Sequence, residues 1–327
     1  MRRLVFSVVL AGSWLAAVSC VTDGEDPRIP DACYRDSMRD FVMDISAWAK
    51  SVSPGFLVVT QNGQELFTED GEPDGDPEAV YLAAMDGTGR EDLFFGYEAD
   101  DEPTPVAETQ WMAAFLDLAE SRDIEAIVID YCWTHWRMDS SYAWNGAAGY
   151  VSFAADRREL DDIPDYPSEP FRTNDDAVLS LGDAGNLLYL INPEGYSSRQ
   201  AFVSAVSATN YDLIVLDLFW NGEPLTPADL EALSTKPCGA GRLVLAYVSI
   251  GEAEDYRYYW QEEWASSPPS WLHEENPDWP GNYLVDYSDP AWQAIIYGSD
   301  GSYVGMVIQA GFDGVYLDKV DSFETWE

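Results

Sequence analysis

The sequence predicts a (β/α)8 TIM barrel of the α/β class. Three observations carry that expectation: eight short apolar strands alternate with helical patterns, 327 residues leave room for one such barrel, and acidic or amide residues stand at or just beyond many strand ends. A doubly wound open sheet would use the same alternation, but no glycine-rich phosphate loop follows any strand.

The elements follow in chain order. Residues 34–52 place Met38, Phe41, Val42, Ile45, Trp48 and Ala49 on one helical face, and Ser53-Pro54-Gly55 stops the helix. Strands are expected at 56–60 (FLVVT) and at 93–96 (LFFG). A helix at 106–121 leads to a strand at 124–130 (IEAIVID), and a further short strand is expected at 151–155 (VSFAA). The polar stretch 161–180, with three prolines, reads as a linker between four strands and four more. Those four lie at 187–191, 213–217, 243–248 and 314–318, with helices at 198–208, 227–234 and 290–310. A barrel gathers the strand ends around one mouth, where barrel enzymes do their chemistry.

Composition narrows the function. There are 17 lysines and arginines against 59 aspartates and glutamates, a formal net charge of −42. Sequence-independent nucleic-acid binding is excluded, because phosphate needs clustered basic side chains. Hydrophobic residues make up 46% of the chain, which excludes disorder throughout. With only His135 and His273 present, a three-histidine metal centre is impossible, and neither a metal nor a cofactor is expected.

Residues 1–19 read as a secretory signal: Arg2 and Arg3, an apolar run from Leu4 to Leu15, then small residues. Cys20 follows as in a lipobox, so it is the expected lipid-attachment site and membrane anchor, with 20–33 as tether and 34–327 as one barrel domain. The expected location is therefore outside the cytoplasm, on a bacterial outer membrane or in the extracellular space. Cys33, Cys132 and Cys238 permit at most one disulfide, and burial as small apolar side chains is the simpler role.

Longer strings carry a resemblance. YDLIVLD (211–217), VLAYVSIGEAEDYRYYW (244–260), NPDWPGNYLVDYSDPAWQ (276–293) and GFDGVYLDKVDSFETWE (311–327) resemble extracellular barrel proteins related to glycoside hydrolase family 114, a group of endo-α-1,4-polygalactosaminidases and related polysaccharide hydrolases. FLVVTQNGQELF (56–67), AAMDGTGREDLFFGY (83–97), IVIDYC (127–132) and AADRRELDDI (154–163) resemble the part of the same family that normally follows GFDGVYLD. The chain therefore looks circularly permuted, with family strands five to eight first and one to four after them. The linker at 161–180 would join the family's old termini, and the helix at 34–52 would be the family's fourth.

The resemblance implies an extracellular polysaccharide as substrate, amino-sugar polymers included, and two catalytic carboxyls. Asp318 matches the family nucleophile, and Glu91 the general acid/base. The residues themselves agree on Asp318: a carboxylate ending a buried apolar strand must emerge at the mouth or be paired. Glu98 and Asp92 are the alternatives to Glu91. Retaining chemistry, the expectation here, needs carboxyls about 5–5.5 Å apart, whereas inverting chemistry needs about 6.5–9.5 Å.

Around this pair, Asp217 and Tyr247 are expected to bind sugar hydroxyls, and Asp321 either to position Asp318 or to contact an amine. Gln61 and Asn62 supply neutral hydrogen bonds, and Asp130, Tyr131 and Trp133 close the opposite side. Glu252, Glu254 and Arg257 are equally a substrate contact and a structural ion pair. The run 70–78 begins like a calcium loop but carries Tyr81 where a bidentate glutamate is required, so it reads as a surface insertion. Cys132 near His135 has no third member to complete a triad. The rival from another class is a non-catalytic, carbohydrate-binding surface lipoprotein on the same scaffold.

Overall fold

A computed structural model describes residues 31–327, so the signal, Cys20 and most of the tether lie outside the described residues. Eight strands form one parallel sheet: β1 (Leu57–Gln61), β2 (Gly87–Glu91), β3 (Glu125–Tyr131), β4 (Val151–Ala155), β5 (Leu187–Leu190), β6 (Leu213–Asp217), β7 (Leu243–Ser249) and β8 (Gly314–Asp318). Their order is β4-β3-β2-β1-β8-β7-β6-β5, and β4 and β5 come into contact where the sheet closes on itself. The result is a nearly closed α/β barrel of TIM type with helices outside it.

Consecutive strands are neighbours, and the last, β8, pairs with the first, β1, in the register Val59↔Tyr316. Helix α1 (Asp31–Val52) covers that junction. It buries Met38, Phe41, Val42, Ile45 and Ala49, the stripe that the helical period foresaw. Arg35 on this helix grips Glu327 at the other end of the chain. The connection from β4 to β5 crosses the closing seam without an α-helix and packs through Tyr166 on His135 and Phe171 on Tyr142.

Three expectations are corrected. The second strand is Gly87–Glu91, not 93–96. Its sequence, GTGRE, has no apolar pattern because Tyr316 fills the barrel where a side chain of Gly89 would stand; a Cβ there would lie 1.7 Å from the Tyr316 hydroxyl. Leu93 and Phe95 are buried in the loop beyond the strand. The helix expected at 290–310 is two, Pro290–Ile296 and Tyr303–Ala310, separated by a turn with Gly298 at φ 104° and restarted by Ser302 as N-cap. A helix at His135–Ala148 was not foreseen. Its buried face includes Ser141 and Asn145, so it lacks a clean apolar stripe.

Candidate active site

Residues two apart on a strand share a face, and a shared register carries that face from strand to strand. Tyr316 lies level with Tyr247, and Tyr247 with Asp217, so Asp318, two beyond Tyr316, belongs to the same inward row. At the C-terminal mouth these side chains line a cavity of about 350 Å³. Its walls come from β1, β2, β3, β5, β6, β7 and β8, from Arg158 beyond β4, and from the segment after β7.

Asp318 is held by donors on both oxygens. Tyr247 donates its hydroxyl to Oδ2 at 2.7 Å, while the Gln61 amide at 3.1 Å and the Lys319 backbone N–H at 2.7 Å donate to Oδ1. Gln61 in turn accepts from the buried Tyr189 hydroxyl at 3.1 Å. Burial, Glu91 and Asp321 push the Asp318 carboxyl up to about 7, against the hydrogen bond from Tyr247.

Glu91 ends β2. It accepts from Asn62 Nδ2 at 2.9 Å and from the Tyr131 hydroxyl, and its own N–H donates to Asn62 Oδ1 at 3.1 Å. Asn62 takes a left-handed φ of 56°, which turns its amide back over β2. Tyr131 lies under the Arg158 guanidinium, 4.0 Å from the ring centre. Arg158 also binds Asp92 at 2.7 Å. Burial nonetheless pushes Asp92 up to about 7. Asp92 stands just beyond the strand at φ 61°, and it and Glu91 serve different partners.

The other wall is a buried charge network. Arg257 donates to Asp217 Oδ2 at 2.6 Å and to the Glu254 carboxylate. Burial still holds Asp217 up at about 6. The buried Glu252 accepts from Asn276 at 2.8 Å, from Asn282 at 3.2 Å, and from Lys319 Nζ at 3.1 Å. Lys319 adopts φ 61°, a left-handed conformation rare outside glycine, at the step directly after Asp318. Trp279 and Tyr256 stand exposed at the rim.

Gln61, Asn62, Glu91, Tyr131, Asp217, Tyr247, Glu252, Arg257, Asp318 and Asp321 therefore meet at one cavity. Three expected members lie elsewhere. Glu98 is exposed beyond β2 and does not line the cavity. Trp133 is exposed outside it. Asp130 points the opposite way from Tyr131. It is buried against the helix at His135–Ala148, accepting from Ser141 at 2.6 Å and from the Phe94 N–H at 2.8 Å. Several lining residues went unforeseen, Tyr189, Arg158 and Lys319 among them. Tyr189 sits within an ordinary apolar run, and Arg158 within an acidic surface string. Lys319 could have been found from its place next to Asp318. Cys132 is buried with its thiol pushed up by burial, and His135 stacks on Tyr166 at 3.8 Å, so they form no nucleophile–base pair.

Part of the chain has relatives of similar sequence. The chain is 45% identical over 134 residues to an uncharacterized protein of Methanocaldococcus jannaschii, covering 40% of this chain and 36% of that one. An uncharacterized protein of Thermotoga maritima is 40% identical over 134 residues, covering 40% and 39%. One of Deinococcus radiodurans is 43% identical over 126 residues, covering 38% of each. The chain thus matches well under half the length of these relatives. Residues 201–327 match the model of glycoside-hydrolase family GH114, so this part of the chain is related to that family.

Proposed function

We propose that the protein is an exported, lipid-anchored glycoside hydrolase that cleaves an extracellular amino-sugar polysaccharide. The observation that carries this reading is that Asp318 and Glu91, at the C-terminal ends of β8 and β2 on either side of β1, line one cavity and are each fixed by neutral hydrogen-bond donors. Glycoside cleavage asks for such a pair. Glu91 gives its proton to the leaving oxygen while Asp318 attacks the anomeric carbon and forms a glycosyl-enzyme. Glu91 then takes a proton from water, which releases the sugar with retained configuration. Tyr247, Gln61 and Lys319 hold Asp318 in line, and Asn62 and Tyr131 hold Glu91. Asp217 is held by Arg257 on Oδ2 and by the Phe219 N–H on Oδ1, and it faces the cavity where sugar hydroxyls would lie.

The permuted order is part of the same reading. It is supported by the junction of β8 with β1 under α1, where the family's chain would run on without a break. The strongly acidic composition suits a cationic polymer. The signal-like start, Arg2 to Cys20, supports export and anchoring. The test is reducing-end release from a panel of polysaccharides, α-1,4-galactosaminan and its acetylated form included. Wild type should release ends from at least one polymer, and Asp318→Asn and Glu91→Gln from none. Binding without release by wild type would favour the non-catalytic carbohydrate-binding lipoprotein instead.

A further inference from the structure

Beyond β7 the chain forms a small antiparallel sheet beside the mouth, from Glu252–Glu254, Asn282–Val285 and Leu272–Glu275. Its first residue, Glu252, is buried, and both carboxylate oxygens are already engaged. Oε1 accepts from Asn276 Nδ2 at 2.8 Å and from Lys319 Nζ at 3.1 Å, and Oε2 accepts from Asn282 Nδ2 at 3.2 Å. The two asparagines close one loop. The Asn276 N–H donates to the Asn282 carbonyl at 2.7 Å, and the loop between them carries Trp279 and Pro280 to the cavity wall. Glu252 thus reaches a substrate only through the groups it holds.

Lys319 leads from Glu252 to the nucleophile. It follows Asp318 directly, and its N–H donates to Asp318 Oδ1 at 2.7 Å from a left-handed φ of 61°. Such a backbone persists in a residue with a Cβ only where its surroundings hold it. The segment before Glu252 does so: the Ile250 N–H donates to the Asp318 carbonyl at 3.0 Å, and a Cβ on Gly251 would run into the Lys319 carbonyl oxygen. Glu252 continues the same clamp through its side chain. Charge adds to it. Burial opposes the Lys319 ammonium, but Asp321, Glu252 and Asp318 hold it above the ordinary lysine value. Asp318 is faced by Glu91 from β2, by Asp321 and Lys319 beyond β8, and by the hydroxyls of Tyr247, Tyr189 and Tyr316. Among these groups only Lys319 is a cation, and it favours the ionised carboxylate.

We infer that Glu252 is a positioning residue with two arms: its buried carboxylate anchors the loop of Trp279 at the rim and, through Lys319, the backbone step that follows the nucleophile. This rests on the hydrolase reading above. The test follows kcat, KM and the pH profile of reducing-end release on whichever of α-1,4-galactosaminan and its acetylated form wild type cleaves. Comparing variants on one polymer cancels the ionisation of the substrate. The alkaline limb of kcat/KM marks loss of the last proton from the Asp318–Glu91 pair, and a nearby cation eases that loss. Glu252→Gln should lower kcat/KM about tenfold to a hundredfold, through kcat and KM alike. It leaves the Lys319 charge uncountered, so the limb should move to lower pH. Lys319→Met should move the limb the other way, by about one unit. Asn276→Ala loosens only the loop, so it should raise KM and leave the limb in place. A role confined to folding would move neither the limb nor KM of the protein that folds. Should Glu252→Gln fail to fold, the other two variants decide, one for each arm. An unmoved limb in Lys319→Met, or a wild-type KM in Asn276→Ala, would overturn the role while leaving the hydrolase standing. If wild type cleaves neither polymer, the amino-sugar hydrolase reading falls, and this role falls with it.

Discussion

The Tyr247 hydroxyl and Asp318 Oδ2, on neighbouring strands, are joined by a hydrogen bond of 2.7 Å at the floor of the mouth. The bond favours the ionised carboxylate, whereas burial and the charge of Glu91 oppose ionisation and win, leaving Asp318 near 7. A nucleophile must be ionised. Glu91 must at the same time keep its proton, so the working pair holds one proton between the two carboxyls. The value near 7, raised by the charge of Glu91, marks the loss of that last proton, and the alkaline limb of kcat/KM, which reports the free enzyme, should fall near pH 7. Tyr247→Phe removes the favourable bond and should move that limb to higher pH. A pH–rate profile of the two proteins checks both statements.

The same shift has a consequence for stability. Asp318 and Asp92 stand near 7 and Asp217 near 6 in the folded protein, all above the ordinary aspartate value near 3.9. Between about pH 4 and 7 the folded chain thus holds protons that the unfolded chain has released, so these groups make stability decline as pH rises through that window. Asp318→Asn removes one of them. Melting temperatures at pH 4 and pH 8 should differ less for the variant than for wild type.

Arg257 is buried between Asp217 and Glu254. Arg257→Met would leave two buried carboxylates without a counter-charge, at a cost of about 3–5 kcal/mol. Urea unfolding at pH 8 measures that cost, and lowering the pH should recover part of it as the carboxyls protonate.

Tyr316 fills the barrel above Gly89, and its hydroxyl is buried without a hydrogen-bond partner. Removing an unsatisfied hydroxyl relieves a desolvation cost, so Tyr316→Phe should be neutral or stabilising. Gly89→Ala forces a methyl group into the Tyr316 ring and should cost about 1–3 kcal/mol. Denaturant midpoints of the two variants should move in opposite directions, or only the second should move.

What could be read from the sequence follows from how each element is buried. Strands β4, β6 and β8 were legible to the residue because each is a continuous run buried throughout or nearly so. Strand β2 was not, because it yields its interior space to Tyr316 and is built from glycine, threonine and polar residues. The helix at His135–Ala148 was hidden because Ser141 and Asn145 face inward to satisfy Asp130. That one arrangement also misled the site. Asp130 and Tyr131 were expected on the same wall, but adjacent strand residues face opposite ways, and only Tyr131 reaches the cavity. Asp318, Gln61, Asp217 and Tyr247 were legible from their place at strand ends. Tyr189 was not, because an interior tyrosine in an apolar run looks the same whether it packs or donates to Gln61.

The central claim is the division of labour between Asp318 and Glu91, and azide rescue tests it most directly. With the nucleophile removed, azide can displace the leaving group in one inverting step. With the acid/base removed, azide instead attacks the glycosyl-enzyme and gives retained configuration. On an activated α-glycoside, Asp318→Ala should yield the β-glycosyl azide and Glu91→Ala the α-glycosyl azide, as read by NMR. The opposite pairing of products, or no rescue of either variant of an enzyme active as wild type, would contradict the assignment.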